Sequence, residues 1–188
     1  MKFSTGMARL SYAHIFKAVV PMSGGDPKFS AAILIPKKDT KTIERLKAAI
    51  KSVKDDPGSV RKWQDRNGRV GNVDIPIHDG DQEKPDDPNY KGMLYFNAKA
   101  SEDRPPKIYM KDLAECTDPS EVYSGCWVQA SVSFYPYNAN GHKGIGVGLN
   151  GIRKLKDGEH LSGGSVSASD FSDDFIDPND ISDDDLLG

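Results

Sequence analysis

Asn140-Gly141 stands between two runs of alternating side chains, and no other pair of residues constrains this chain as tightly. A two-residue type I′ turn requires positive φ at both central positions, and Asn-Gly is the dipeptide that tolerates it best. Placing the turn there fixes the pairing by counting outward. Tyr137 then faces Gly144, Tyr135 faces Gly146 and Ser133 faces Gly148, while Phe134 faces Val147 and Val132 faces Leu149. One face of the hairpin is apolar and the other sets aromatic rings against glycines, so a one-residue slip would turn the apolar set outward. Pro136 falls opposite Ile145, at a position that donates nothing across the hairpin, and marks an edge or bulge on the strand's other side.

Upstream, residues 7–20 mix β-branched, aromatic and polar side chains without a helix stop and read as a long strand. A turn at 22–27 leads to a largely buried strand at 29–35, which Pro36 closes. Asp39 or Thr40 caps a helix in which Ile43, Leu46, Ile50 and Val53 recur at spacings of three and four, and Pro57-Gly58 ends it near Asp55. Residues 57–90 form a long excursion that contains Trp63 and the short apolar run 73–77. Residues 93–101 read as a third strand and 108–110 as a short fourth, followed by a turn-like segment at 112–121. These elements predict a mainly β fold, a curved, mostly antiparallel sheet with one inserted helix. A small β-barrel of the oligonucleotide-binding (OB) type fits the count, and the count alone leaves other small barrels and sandwiches open.

Charge divides the chain at Lys156. All 25 Lys and Arg of the 188 residues lie at or before that position with 18 acids, giving +7; the remainder holds ten acids and no base, giving −10. This division of charge predicts a basic domain at 1–157 and a disordered acidic tail at 158–188, too poor in apolar residues to offset the entropy of ordering. Phe171, Phe175, Ile176, Ile181, Leu186 and Leu187 alternate with acids in that tail, as in segments that dock on a partner. Asp183, Asp184, Asp185, Leu186 and Leu187 form its tip. The opposed charges suggest a body that binds a polyanion and a tail that imitates one.

No stretch is long and apolar enough to span a membrane, and the N-terminus opens no signal-peptide core. Cys116 and Cys126 are too far apart for a CxxC pair and read as reduced thiols, with Cys126 packed as a small apolar residue. The glycines at 144, 146 and 148 lack the spacing and following helix of a dinucleotide loop, and no phosphate loop is present, so no cofactor is expected. His78-Asp79 with Asp81, and Asp26 with Asp39-Thr40-Lys41, faintly suggest metal chemistry, but loop composition and helix capping explain them more economically.

The hairpin's outer face offers Trp127, Tyr135 and Tyr137 with small polar residues, a platform on which bases stack at about 1–3 kcal/mol each. Tyr95 and Lys99 on the third strand, Arg104, Lys107 and Tyr109 around the fourth, Lys143 at the turn, and Arg153-Lys154 at the exit bring rings and cations to the same region. Aromatic rescue of bare glycine backbone is the competing explanation for the tyrosines.

Several ordered segments carry a resemblance: Arg9-Leu10-Ser11-Tyr12, Ala32-Ile33-Leu34-Ile35-Pro36-Lys37, Phe134-Tyr135-Pro136-Tyr137-Asn138, Lys143-Gly144-Ile145-Gly146 and Gly148-Leu149-Asn150. From about residue 2 to 164 the chain resembles phage-encoded single-stranded DNA-binding proteins. The resemblance implies an OB-fold that coats single-stranded DNA in replication or recombination in the bacterial host cytoplasm, without sequence preference or catalysis. It also implies an acidic tail that contacts phage or host replication and recombination proteins. The tip here lacks the terminal Pro-Phe of bacterial relatives, which favours phage-encoded partners. Monomer and dimer both stay open. The alternatives from other classes are a phage structural or assembly protein and a metal nuclease using the acids of residues 74–87.

Overall fold

The computed structural model describes residues 1–139 and 141–161. In chain order the elements are β1 (Lys2–Ser4), β2 (Ala8–Val19), β3 (Lys28–Pro36), α1 (Thr40–Asp55), α2 (Pro57–Trp63), β4 (His78–Asp79), α3 (Gly80–Glu83), β5 (Met93–Ser101), β6 (Lys107–Tyr109), β7 (Trp127–Ala139) and β8 (His142–Lys156). The hairpin has the expected register: Tyr137 faces Gly144, Tyr135 faces Gly146, Phe134 faces Val147 and Pro136 faces Ile145. On the far edge of β7, β1 pairs residues 131–133 and stops there, so Pro136 lies beyond it, where no ladder hydrogen bond is demanded of it.

Antiparallel pairing joins β2 to β3 and β3 to β5. At one seam β5 runs parallel to β8 with Lys99 beside Gly148, and at the other Ala8 and Arg9 of β2 meet Val128 and Trp127 of β7. The path β7-β2-β3-β5-β8-β7 therefore returns to its start as a partly closed five-stranded barrel of OB-like form, with β1, β4 and β6 attached at its margins. Alternate residues fill it: Leu10, Ile33, Phe96, Val128, Val132, Phe134 and Ile152 are buried inside. No helix among the described residues is long and apolar enough to cross a membrane.

α1 closes one side of this core with Leu46, Ala49, Ile50 and Val53, and Asp39 caps it by accepting from the Thr42 amide at 3.0 Å. Pro57 does more than stop this helix. Its fixed φ also suits the first position of a new one, and Asp56 caps α2 by accepting from the Ser59 amide at 2.8 Å. The sequence pattern did not anticipate α2. It delivers Trp63 to the core, where its Nε1 donates to the carbonyls of Tyr137 (3.0 Å) and Gly144 (3.2 Å). The excursion is thereby tied to the outer end of the hairpin, and the Asp74 amide donates to the Lys143 carbonyl at 2.8 Å.

Residues 158–161, expected to belong to the tail, lie along the body. His160 stacks on Tyr123 with ring centroids 3.8 Å apart, Arg9 Nη2 donates to the Glu159 carbonyl at 3.1 Å, and the Leu161 amide donates to the Ser124 carbonyl. Gly125, at φ +114°, lets the Glu159 backbone approach where any Cβ would collide with it. The rest of the tail, including Asp183, Asp184, Asp185, Leu186 and Leu187, lies outside the described residues, as does Asn140.

Candidate nucleic-acid interface

Three adjoining grooves cross the outer face of the barrel. The largest, about 550 Å³, is lined by Lys2, Lys28, Lys99, Ser101, Arg104, Pro105, Tyr135, Gly148 and Asn150. A second shares Lys28 and Lys99 with it and adds Tyr12, His14 and Ser30. The third shares Asn150 and adds Lys107, Tyr109, Gln129, Ser131 and Arg153. Six cations and three tyrosines thus line one continuous band of three grooves without a carboxylate in their lining. A fourth groove, which shares Lys28 and Ser101 with the largest, carries Asp26, Glu102 and Asp103 and bounds the band on that side.

Local structure explains the placement. Tyr135 is half exposed, and its ring lies flat over Gly146, where a Cβ would come within 2.5 Å of Cζ. The glycine thus serves both as rescue and as platform: the ring covers bare backbone while its other face meets solvent. Gly148 keeps the floor beside Lys99 free of a side chain. Tyr12 owes its position to a β-bulge. Between Ser11 and His14 the strand carries one residue more than β3 opposite, and Tyr12 takes φ +45°, uncommon for a non-glycine residue. The bulge turns its ring outward, 60% exposed, with Lys84 Nζ 5.1 Å from the ring centroid. The freed amide of Ala13 finds the Ser124 hydroxyl at 2.9 Å.

Of the residues singled out by sequence, Lys99, Arg104, Lys107, Tyr109, Tyr135 and Arg153 come together in this band. Arg153 also donates to the Lys111 carbonyl, and Lys107 meets Glu115 at 3.1 Å. The others lie elsewhere. Tyr95 faces outward as the alternation requires, but the excursion covers it: Tyr90 packs edge-on at 4.9 Å and His78 stacks at 5.1 Å, leaving it 5% exposed. Burial pushes the Tyr90 hydroxyl up to about 12. Lys143 donates its Nζ to the Trp63 carbonyl at 2.6 Å. Lys154 is buried; burial opposes its charge, yet the hydrogen bond to Asp157 (2.8 Å) and the nearby Glu121 carboxylate outweigh it and raise its pKa. Trp127 sits at the root of the tail between Arg9 and Lys156, both within 6.0 Å of its ring centroid. Tyr137 covers Gly144 toward the hairpin tip, outside the three grooves.

Sequence reasoning missed Lys2, Lys28 and His14 and left the orientation of Tyr12 open. Lys2 arrives through β1, three residues long and too short to show a period, by pairing with Ser133 beside Tyr135. Lys28 opens β3 opposite Ser101. Three of the acids considered for metal chemistry have structural partners: Asp39 caps α1, and Asp79 and Asp81 hold Lys37 at 2.6 and 2.7 Å. Those hydrogen bonds raise the Lys37 pKa and, on the other side, lower that of Asp81.

The chain matches, over residues 1–187, the profile of a family described as Enterobacter phage Enc34, ssDNA-binding protein. Protein p50 of Acyrthosiphon pisum secondary endosymbiont phage 1 is 32% identical over 188 residues, covering 93% of this chain and 94% of that protein. Among solved structures, the single-stranded DNA-binding protein of bacteriophage Enc34 in complex with ssDNA is similar with a TM-score of 0.69 at 25% identity. The match covers 85% of this chain and 89% of that one. The single-stranded DNA-binding protein gp2.5 of bacteriophage T7 is similar with a TM-score of 0.64, covering 88% and 97%; at 14% identity that likeness concerns the fold alone.

Proposed function

The chain belongs to the Enterobacter phage Enc34 ssDNA-binding protein family, and on that premise we propose that it binds single-stranded DNA along the outer band of its barrel. It is a non-enzymatic, phage-type single-stranded DNA-binding protein of DNA replication. The observation that carries the assignment of the surface is the groove in which Lys2, Lys28, Lys99 and Arg104 flank the exposed ring of Tyr135 with no carboxylate in its lining. Cations spaced along a groove track phosphates whatever the sequence, and rings between them accept any base by its π-face. Tyr12 and Tyr109 extend the stacking surface on either side. Phosphate pairing and ring stacking both tolerate any base, so coating without sequence preference is the mode these contacts support.

The acidic tail regulates this surface. The segment beyond Leu161, with eight acids and no base, is tethered at roughly millimolar effective concentration; it occupies a cationic groove when DNA is absent and yields it when DNA arrives. Once displaced, the tail is free to recruit phage replication proteins in the host cytoplasm. Titrating DNA at rising salt tests the assignment: affinity must fall steeply, and less steeply when Lys28 and Lys99 are removed.

A further inference from the structure

Away from the DNA-binding band, a groove of about 490 Å³ lies between α1 and the run 75–77 that precedes β4. Its floor is aliphatic: Ile43, Leu46, Ile50, Ile75, Ile77 and Leu94. It shares no lining residue with the three grooves of the band. Lys47, Lys51 and Lys54 stand along its rim at spacings of four and three, one ridge of the helix. Lys51 is paired with Asp55, but among the described residues neither Lys47 nor Lys54 meets a carboxylate. Like charges on one ridge repel. An aliphatic floor under such a rim fits an occupant that alternates large apolar residues with acids.

This chain carries such a segment. Phe171 and Phe175-Ile176 are separated by Asp173-Asp174 and flanked by Asp170 and Asp177. We propose that residues 170–177 of the chain's own tail dock in the α1 groove, their apolar side chains on the aliphatic floor and their carboxylates on Lys47 and Lys54. Reach permits it: from Leu161, the fourteen residues to Phe175 span up to about 45 Å, against a radius of gyration near 15 Å for a body of this size. Docking goes beyond competition for DNA, because it depends on apolar side chains that a phosphate mimic does not need. It also leaves residues 178–188 as a shorter, more concentrated competitor.

Paramagnetic relaxation in the full chain tests this. A nitroxide on Ser172→Cys, with Cys116 and Cys126 buried and out of its reach, should broaden the amides of Lys47, Lys51 and Lys54 at least about twofold over the diamagnetic control. Adding Phe171→Ser, Phe175→Ser and Ile176→Ser, which leaves every tail acid in place, should restore them. Three outcomes would overturn the proposal. One is broadening at Lys99 and Tyr135 with α1 sharp. Another is broadening that survives the triple variant. The third is broadening seen on an isotope-labelled chain only when a second copy carries the nitroxide. DNA titration of the same samples reports separately on the band.

Discussion

Replacing Lys28 and Lys99 with alanine removes the two cations shared by adjoining grooves. Both side chains are exposed, so folding should be nearly unaffected. Six cations line the band, and each phosphate neutralised on a single strand contributes about −0.7 to the slope of log K against log salt. Full engagement gives a slope near −4, an affinity loss of about 300-fold between 50 and 200 mM salt. With four cations the slope falls to about −3 and the loss to roughly 50-fold. Fluorescence anisotropy of labelled DNA across that salt range measures both numbers. Lys38→Ala with Lys41→Ala makes the same change in net charge at exposed positions outside the band and should leave the slope alone. Equal slopes for the Lys28/Lys99 variant and wild type, or equal reductions in both variants, would refute phosphate tracking by this surface.

Gly146→Ala should lift the Tyr135 ring off the strand, because the new Cβ would lie 2.5 Å from its Cζ; DNA affinity should fall several-fold at one stacking site while the melting temperature changes little. Trp63→Phe removes the indole N–H that donates to the Tyr137 and Gly144 carbonyls and leaves a small cavity where the larger ring was buried, and denaturant titration should show a loss of about 1–2 kcal/mol or more. Asp39→Ala removes the α1 cap and should cost about 1 kcal/mol. The Thr42 hydrogen bonds lower the Asp39 pKa, so its contribution is complete above the ordinary carboxylate value and fades as pH falls through the lowered one. Melting curves between about pH 2 and 6 should therefore converge for wild type and Asp39→Ala at the acid end, and constant separation would contradict the cap's ionic character.

The hairpin was legible because Asn140-Gly141 allows one register, and alternation on either side then sorts Phe134 from Tyr135 without further information. α1 was legible for a similar reason: Ile43, Leu46, Ile50 and Val53 repeat long enough to show a helical period. What escaped was short or non-local. β1 has three residues, and α2 begins at the proline that closes its predecessor. The site was harder still, because the face of a strand says which way a side chain points but not what lies over it. Tyr95 was placed on the outer face correctly, yet Tyr90 and His78, distant in the excursion, bury it. Lys143 and Lys154 are cations in sequence, but one is held by the Trp63 carbonyl and the other by Asp157. Tyr12 points outward through a bulge, and a bulge shifts the alternation that sequence reading relies on.

Binding of single-stranded DNA is tested most directly by anisotropy of a labelled strand of roughly thirty nucleotides, longer than one OB-type domain covers. It is titrated at low salt with the full chain and with a chain ending at Leu161, which keeps the Asp157 and His160 contacts. Both should bind, the shortened chain more tightly because it lacks its competitor. Absence of binding by either chain would contradict the DNA-binding assignment, and tighter binding by the full chain would contradict competition by the tail.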